Sequence, residues 1–397
     1  MSTLTFSEES RSVATSHNQL KLSKLDLTLP VPLDPQNFTS INRTPWSGSA
    51  LAKGIKKNQA NSSSQRIGEA WEVSCDPEAP SELQDSPGTT LAELIKQRTA
   101  ECLSERMVTA GRTSLNILVK LINAASPLSL QIHPADDNPL LNANECGKPE
   151  SWLVLSAENG SGIYIGFQEG LTLDAVRQHL ENSTFTSDLL QFVPVQAGDY
   201  FEIDPHVPHA IGPGVVLLEP QRITSGMSGK TWRLWDWNRK YNPKGELDAE
   251  HGRPRDLHIK EAVSILSPLD QSGSKYVDGH RRKPKRETLA PGVSADIFPA
   301  NKWYQTILLK LAAGTSVQLK SNALYACVTI LEGCPVSFSS HSRDVGRKLE
   351  LPQGQSFFIP ASALPNTLAA EASPAQLSLI IPAGVGAEDH LGNIFTA

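Results

Sequence analysis

The sequence predicts a mainly β chain with a helical insertion, folded as two β-barrel or sandwich modules. Three observations carry this. Short apolar segments recur along both halves, separated by Pro, Gly and Asn. Helical spacing of apolar residues is clearest in two segments, both in the first half. The halves also echo one another: GDYFEIDPHVPHAI begins at Gly198 and GQSFFIPASALPNTL at Gly354, and the same step along each reaches His209 and Pro365. A duplicated module with a polar site in one copy and none in the other accounts for the echo.

In chain order, residues 1–25 are polar and Ser-rich and are expected to form a flexible tail. The first module is expected over 26–270. It opens irregularly, with Pro30, Pro32 and Pro35, and then predicts a helix from Thr90 to Met107 on Leu91, Leu94, Ile95 and Leu103. Strands follow in SLNILVKLINA, PLSLQIHP, SWLVLSA and GIYIGF, and Thr172 is placed to cap a second helix, Leu173 to Glu181. Residues 271–292 are polar and turn-rich and read as a linker, so the basic run Arg281 to Arg286 is expected to be solvated rather than a nucleic-acid surface. Residues 293–397 form the second module, with strands in YQTILLKLAAG, LYACVTILEG, KLELPQGQSFFIP and AQLSLIIPAG.

Composition narrows the function classes. The chain has 397 residues and a net charge of −6, which gives no general attraction to nucleic acid or to an anionic membrane. No apolar run approaches the roughly 18 residues of a membrane span, and the N-terminus lacks the pattern of a signal peptide. Cys75, Cys102, Cys146, Cys327 and Cys334 are odd in number and show no C-x-x-C spacing, against both a disulfide framework and a cysteine zinc knuckle. A cytoplasmic protein acting on small molecules is expected, and nothing in the sequence specifies an oligomeric state.

One strand carries candidate chemistry. In LSLQIHP, Leu128, Leu130 and Ile132 fall on one face and Ser129, Gln131 and His133 on the other. Glu150, in GKPESWLVL, stands where the next strand begins, and His209, in the turn HVPHA, is able to bring a second imidazole over the same sheet. A lone strand histidine is more often an ordinary packed residue than a ligand. Together these residues point to an open N/O metal site.

The segments QIHPADD, GKPESW, GDYFEIDPHVPHAIGPG, LLEPQ, TWRLWDWNR and RPRDLHI, in that order and preceded by RIGEAWEVS, resemble the successive signatures of the type I phosphomannose isomerases. The match runs from about Pro30 to the C-terminus. The resemblance implies cupin-type β-barrel (jelly-roll) modules and interconversion of mannose 6-phosphate and fructose 6-phosphate through an enediol. It implies one zinc ion per chain held by Gln131, His133, Glu150 and His209, with Arg233 catalytic, Lys148 pointing into the cavity and Glu219 lining it. Lys120 and Ser129 match positions associated with the substrate phosphate, and Glu69 is a further pocket residue. The implied partner is a sugar phosphate, with no nucleic acid and no membrane.

The residues leave some roles open. Lys148 would serve as the base if metal and burial lower its pKa, whereas Glu219 is expected to be ionised at neutral pH. The alternative is a non-catalytic cupin that senses metal or sugar phosphate, and the presence of Lys148 and Arg233 favours the isomerase. His206 offers a rival imidazole, although His209 has the family's spacing from Gly198. The interval from Glu219 to Arg233 is longer than the commonest pattern, and Gly229 stands where some members carry an acidic residue. Trp232, Trp235 and Trp237 are expected to pack the fold, with Thr231, Arg233 and Trp235 sharing one strand face.

Overall fold

The computed structural model of the chain describes residues 20–333, 336–340, 348–383 and 394–396. Cys334 and the first 19 residues of the expected tail lie outside them. The other four cysteines are unpaired.

Strands of the first half form two facing sheets. One has six strands in the order Arg281–Arg282, Tyr200–Ile203, Glu150–Ala157, Val215–Arg222, Ile117–Ala124 and Glu69–Val73. The other has five: Leu190–Pro194, Gly162–Phe167, His209–Ile211, Leu130–Ile132 and Trp232–Trp235. Ile122, Val154, Ile163, Ile165, Phe201 and Leu217 form the apolar core between them. Ile117–Ala124 and Val215–Arg222 are buried along their whole length. Their inner residues meet the facing sheet, while Val119, Leu121, Val216 and Leu218 pack with Tyr304, Leu308, Phe358 and Ile380 of the second half. A strand covered on both faces reads as a continuous apolar run, as these do.

The second half repeats the plan with seven strands facing five. The seven-stranded sheet runs Val31–Pro32, Ser356–Ile359, Ala326–Glu332, Ala375–Pro382, Tyr304–Leu311, Val293–Ile297 and Lys285–Ala290. The other contains Lys348–Leu351, Val336–Ser340, Asn366–Ala370, Thr315–Leu319 and Phe395–Thr396. The mainly β expectation holds. Among the described residues, however, the strands lie in facing sheets and no sheet closes on itself as a barrel.

Three local expectations change. The segment 90–107 is not one helix but Leu91–Gln97, Thr99–Leu103 and Glu105–Thr109. Arg98, at φ −128° and ψ 48°, and Ser104, at φ 76°, interrupt it, and the Ser104 hydroxyl accepts from the Met107 N–H to start a new turn. Second, residues 271–292 are ordered secondary structure: a helix at Gly273–His280, a strand at Arg281–Arg282 beside Tyr200–Phe201, and a strand at Lys285–Ala290 beside Val293–Ile297. The basic run there is neutralised locally, with Arg281 on Asp199, Arg282 on Glu202 and Arg286 on Asp296. Third, residues 20–24 are helical and Leu22 is 3% exposed in the main core, so chain inside the expected tail is packed. The helix Leu173–Glu181 forms as expected, with the Thr172 hydroxyl accepting from the Ala175 N–H.

The halves interlock. Val31–Pro32, the first strand of the described chain, pairs with Phe357 and Phe358 in the second half.

Candidate active site

The site begins as a row across the five-stranded sheet. Gln131, in the short central strand Leu130–Ile132, is directly opposite His209 on one neighbour and Arg233 on the other. Directly opposed residues in antiparallel strands project to the same side, so an imidazole, an amide and a guanidinium stand abreast. From the six-stranded sheet, Glu150 is opposite Gln221. Glu219 lies two residues before Gln221 and therefore shares its face.

His133, Glu150 and His209 converge, with one donor atom from each lying within 4.8 Å of the others. Glu150 Oε2 is 3.3 Å from His133 Nε2, and its Oε1 is 3.4 Å from His209 Nε2. His133 Nδ1 is 3.0 Å from the Lys230 carbonyl oxygen and His209 Nδ1 is 2.8 Å from that of Val207. A carbonyl acceptor at Nδ1 puts the proton there and leaves each Nε2 as a bare lone pair. Burial, with the positive charge of Lys148, holds His133 below the usual imidazole range, and burial pushes His209 down to about 3. Neither Nε2 has a hydrogen-bond partner. Buried lone pairs turned toward a carboxylate with no proton between them fit a cation, and Nδ1–H donated to a carbonyl is the usual arrangement behind a metal-binding histidine.

His209, rather than His206, stands in this cluster. His206 occupies the turn at φ 71°, where its N–H donates to the His133 carbonyl at 2.8 Å and its ring is directed elsewhere.

Beside the cluster, and lined by none of its three members, is a cavity of about 190 Å³ whose walls include Glu69, Lys120, Ser129, Gln131, Lys148, Glu219 and Arg233. Lys148 Nζ is 3.2 Å from Glu150 Oε2. Burial acts to lower its pKa, but Glu150 and Glu219 outweigh burial and hold it above the ordinary lysine value. Glu219 behaves in the opposite way to the sequence expectation. Burial, followed by the charge of Glu150, pushes it up to about 8, so it keeps a proton near neutrality. Glu150 falls well below the carboxylate range, because Lys148 and His133 overcome its burial. Glu69 is also lowered: burial raises it, but Lys120 and a 2.8 Å hydrogen bond from Trp71 Nε1 prevail.

Lys120 lies 3.9 Å from each of Glu69 and Glu219, with its ammonium 4.2 Å from the centre of the Trp71 ring. Ser129, on the opposite wall, accepts from Arg233 Nε at 3.2 Å. Arg233 also donates to the Asp256 carbonyl at 2.8 Å and has no carboxylate partner among the described residues, since Asp236 is taken by Arg239 and Arg255. The strand carrying Arg233 slips by one residue between Arg233 and Trp235. Trp235 therefore leaves the face expected for it and packs with Trp232 and Leu234 in the core beneath.

Several contributors were not anticipated. Gln221 is fully buried and its Nε2 donates to Glu150 Oε2 at 2.8 Å and Glu219 Oε2 at 2.6 Å, tying the two carboxylates together. Its position two residues after Glu219 was the available signal. Arg43 and Trp71, the latter from the strand Glu69–Val73, also line the cavity. A Cβ at Gly229 would lie 2.4 Å from Ile223 Cδ1 and 2.9 Å from the Lys148 side chain, so a larger residue there needs the ends of those two side chains to shift.

Comparison with known proteins agrees with this geometry. Residues 38–150 match the model of the type I phosphomannose isomerase catalytic domain, a span that includes Glu69, Lys120, Ser129, Gln131, His133, Lys148 and Glu150. The mannose-6-phosphate isomerase ManA of Bacillus subtilis (strain 168) is 30% identical over 295 residues, covering 72% of this chain and 82% of that protein. The mannose-6-phosphate isomerase of Streptococcus mutans is 28% identical over 290 residues, covering 72% and 81%. Among solved structures, the mannose 6-phosphate isomerase of Bacillus subtilis superposes with a TM-score of 0.68 at 20% identity over 88% of this chain and 99% of that one. A putative mannosephosphate isomerase from Archaeoglobus fulgidus gives 0.63 at 22% identity over 89% and 98%. The bare imidazole pair, the cavity beside it and the length and level of these matches agree: this chain belongs to the type I phosphomannose isomerases.

Proposed function

We propose that the chain is a zinc-dependent aldose-ketose isomerase that interconverts mannose 6-phosphate and fructose 6-phosphate through an enediol. The observation that carries this reading is the pair of bare, buried Nε2 atoms of His133 and His209 set beside a carboxylate whose pKa is pushed up to about 8. A metal or sugar-phosphate sensor has no use for such a group. An enzyme that must take a proton from one sugar carbon and return it to the next does.

Gln131, His133, Glu150 and His209 would hold one zinc ion, which when bound supplies Lewis-acid polarisation of the sugar oxygens. Glu219 is the proton carrier in this scheme. Protonated at neutrality in the metal-free chain, it would lose its proton more readily once a divalent charge sits nearby. Lys148, held above its ordinary pKa, remains an ammonium and stabilises negative charge on the sugar instead of acting as the base. Arg233, with no internal carboxylate to neutralise it, offers its guanidinium to the same charge. Ser129 and Lys120 remain the proposed phosphate contacts, and Glu69 orients Trp71 and Lys120 at the cavity wall.

The division of labour belongs to the same proposal. Residues 26–270 supply the site, and the described residues of 293–397 supply none of the cavity lining. No helix among the described residues is long and apolar enough to cross a membrane, and the four unpaired cysteines fit the reducing cytoplasm in which we place the protein.

The test is a coupled isomerase assay on the purified protein, before chelation, after it, and after zinc is restored. Activity that vanishes on chelation and returns with zinc is expected; full activity after complete metal removal rejects the metal-dependent reading.

A further inference from the structure

Proline in a central strand removes a ladder donor, and such residues are ordinarily confined to edges or bulges. Pro220 nevertheless sits in the middle of Val215–Arg222, a strand with neighbours on both sides, between Glu219 and Gln221. On the Ile117–Ala124 side the pairing is unbroken, with Pro220 opposite Val119. On the other side, pairing with Glu150–Ala157 runs through Leu217↔Val154 and Leu218↔Leu153, then resumes only at Gln221↔Glu150. The ladder is open beside the two residues whose carboxylates face each other in the site.

A tyrosine from the second half fills the opening. Tyr304 is 1% exposed, and its hydroxyl donates to the Pro220 carbonyl at 2.7 Å while lying 3.1 Å from Ser151 Oγ. It therefore joins the residue after Glu150 to the residue after Glu219. Its backbone is itself fixed, because Asn301 Oδ1 accepts from the N–H groups of both Trp303 and Tyr304 at 2.9 Å. Tyr304 is not among the residues lining the cavity, so any effect on the reaction must pass through the strands it connects.

We propose that Tyr304 is a positioning residue for the active site: its hydroxyl bridges the Pro220 carbonyl and the Ser151 hydroxyl where the ladder is interrupted, and so sets the spacing of the strands carrying Glu150 and Glu219. The second half of the chain thereby acts on a site to which none of its described residues contributes lining. The inference deepens the isomerase reading and rests on it for its kinetic consequences. Its effect on metal binding stands apart, because Glu150 is also the carboxylate facing both imidazoles. Hydrogen-bonding groups behind metal ligands typically alter affinity about 10- to 100-fold when removed.

The experiment uses the full chain carrying Tyr304→Phe, which deletes only the hydroxyl. Zinc affinity is measured by competition with a chelator, and kcat and KM by the coupled assay. The expected result is about a tenfold loss in zinc affinity and in kcat with KM within about twofold of wild type. A loss in either quantity at unchanged KM supports the proposal. A variant with both within about twofold of wild type overturns it, as does a change confined to KM or melting temperature. Should Tyr304→Phe fail to fold, Ser151→Ala removes one partner and leaves the Pro220 bond, and the same criteria apply to a smaller loss. If wild type proves inactive on mannose 6-phosphate, the isomerase reading fails and the zinc competition alone decides the role of Tyr304.

Discussion

The ammonium of Lys56 lies 2.7 Å from Glu72 Oε1 with both side chains wholly buried, and it donates a second bond at 2.7 Å to the Gly354 carbonyl of the other half. The pair sits at the seam, where Gln59 also donates to the Gln353 carbonyl and Gln355 to that of Leu33. Gly354, at φ 82°, is compelled to be glycine, since a Cβ would lie 2.3 Å from Gln59 Oε1 and 2.5 Å from the Ile55 carbonyl. Removing one member of a buried ion pair strands the other. Lys56→Met is expected to cost about 3–5 kcal/mol in denaturant unfolding, and Lys56→Met with Glu72→Leu to recover much of that loss. A single variant as stable as wild type would show that the seam carries little of the folding energy.

Metal content separates the two histidines of the turn. His133→Ala and His209→Ala should each lose most bound zinc, and His206→Ala should keep one ion per chain, as read by metal analysis of purified variants. Loss in the His206 variant alone would reverse the assignment.

Acid sensitivity of the metal-free protein follows from the buried imidazoles. The folded chain holds His209 down at about 3, whereas the unfolded chain takes up that proton near the ordinary imidazole value of about 6.5. Through His209 the unfolded state binds the extra proton across this window, which makes stability rise with pH, whereas Glu219, raised to about 8, holds its extra proton in the folded state and opposes that rise up to about pH 8. His133, lowered in the same direction as His209, adds to the rise. Between pH 5 and 6.5 each such proton corresponds to about 1.4 kcal/mol per pH unit. Relative to His209→Gln, the metal-stripped wild-type chain should lose melting temperature as pH drops through this range, and an equal pH dependence of the two would remove His209 as the cause.

Arg233→Ala should retain zinc and fold while losing about two or more orders of magnitude in kcat, a cost of about 3 kcal/mol of transition-state stabilisation. Because the guanidinium has no ion pair to lose, its melting temperature should change little. Arg233→Lys should restore little, since a point charge does not reproduce the planar fork that reaches Ser129 and the Asp256 carbonyl. Near-normal kcat with a lowered melting temperature would make the residue structural.

Gln221→Leu keeps roughly the same bulk but deletes the amide that joins Glu150 to Glu219. Zinc affinity should drop about 10- to 100-fold. Isothermal titration with zinc checks this, and an unchanged affinity would limit the amide to packing.

The site residues were legible because their signals are local. Ser129, Gln131 and His133 alternate along one strand, and His209 sits at a fixed step from Gly198 in a turn. What stayed hidden depends on distant chain. Nothing around Val31 announces that it completes a sheet of the second half, and nothing around Tyr304 announces that it closes a gap beside Pro220. The polar stretch 271–292 read as a linker because its strands are short, charged edges whose ion-pair partners, Asp199, Glu202 and Asp296, come from outside it. The helix expected at 90–107 failed at Arg98 and Ser104, where apolar spacing continues but the backbone turns away.

Val31–Pro32 has consequences for the order in which the protein is completed at the ribosome. The Leu33 carbonyl, next to that strand, accepts a bond from Gln355, 322 residues later. At about 5–20 residues per second, synthesis of the intervening chain takes about 15 to 60 seconds, throughout which the N-terminal segment has no edge to join. The first half can emerge and begin to collapse, but its leading strand must stay available until the last sheet arrives. A fusion partner or truncation at the N-terminus would therefore perturb the part of the molecule made last.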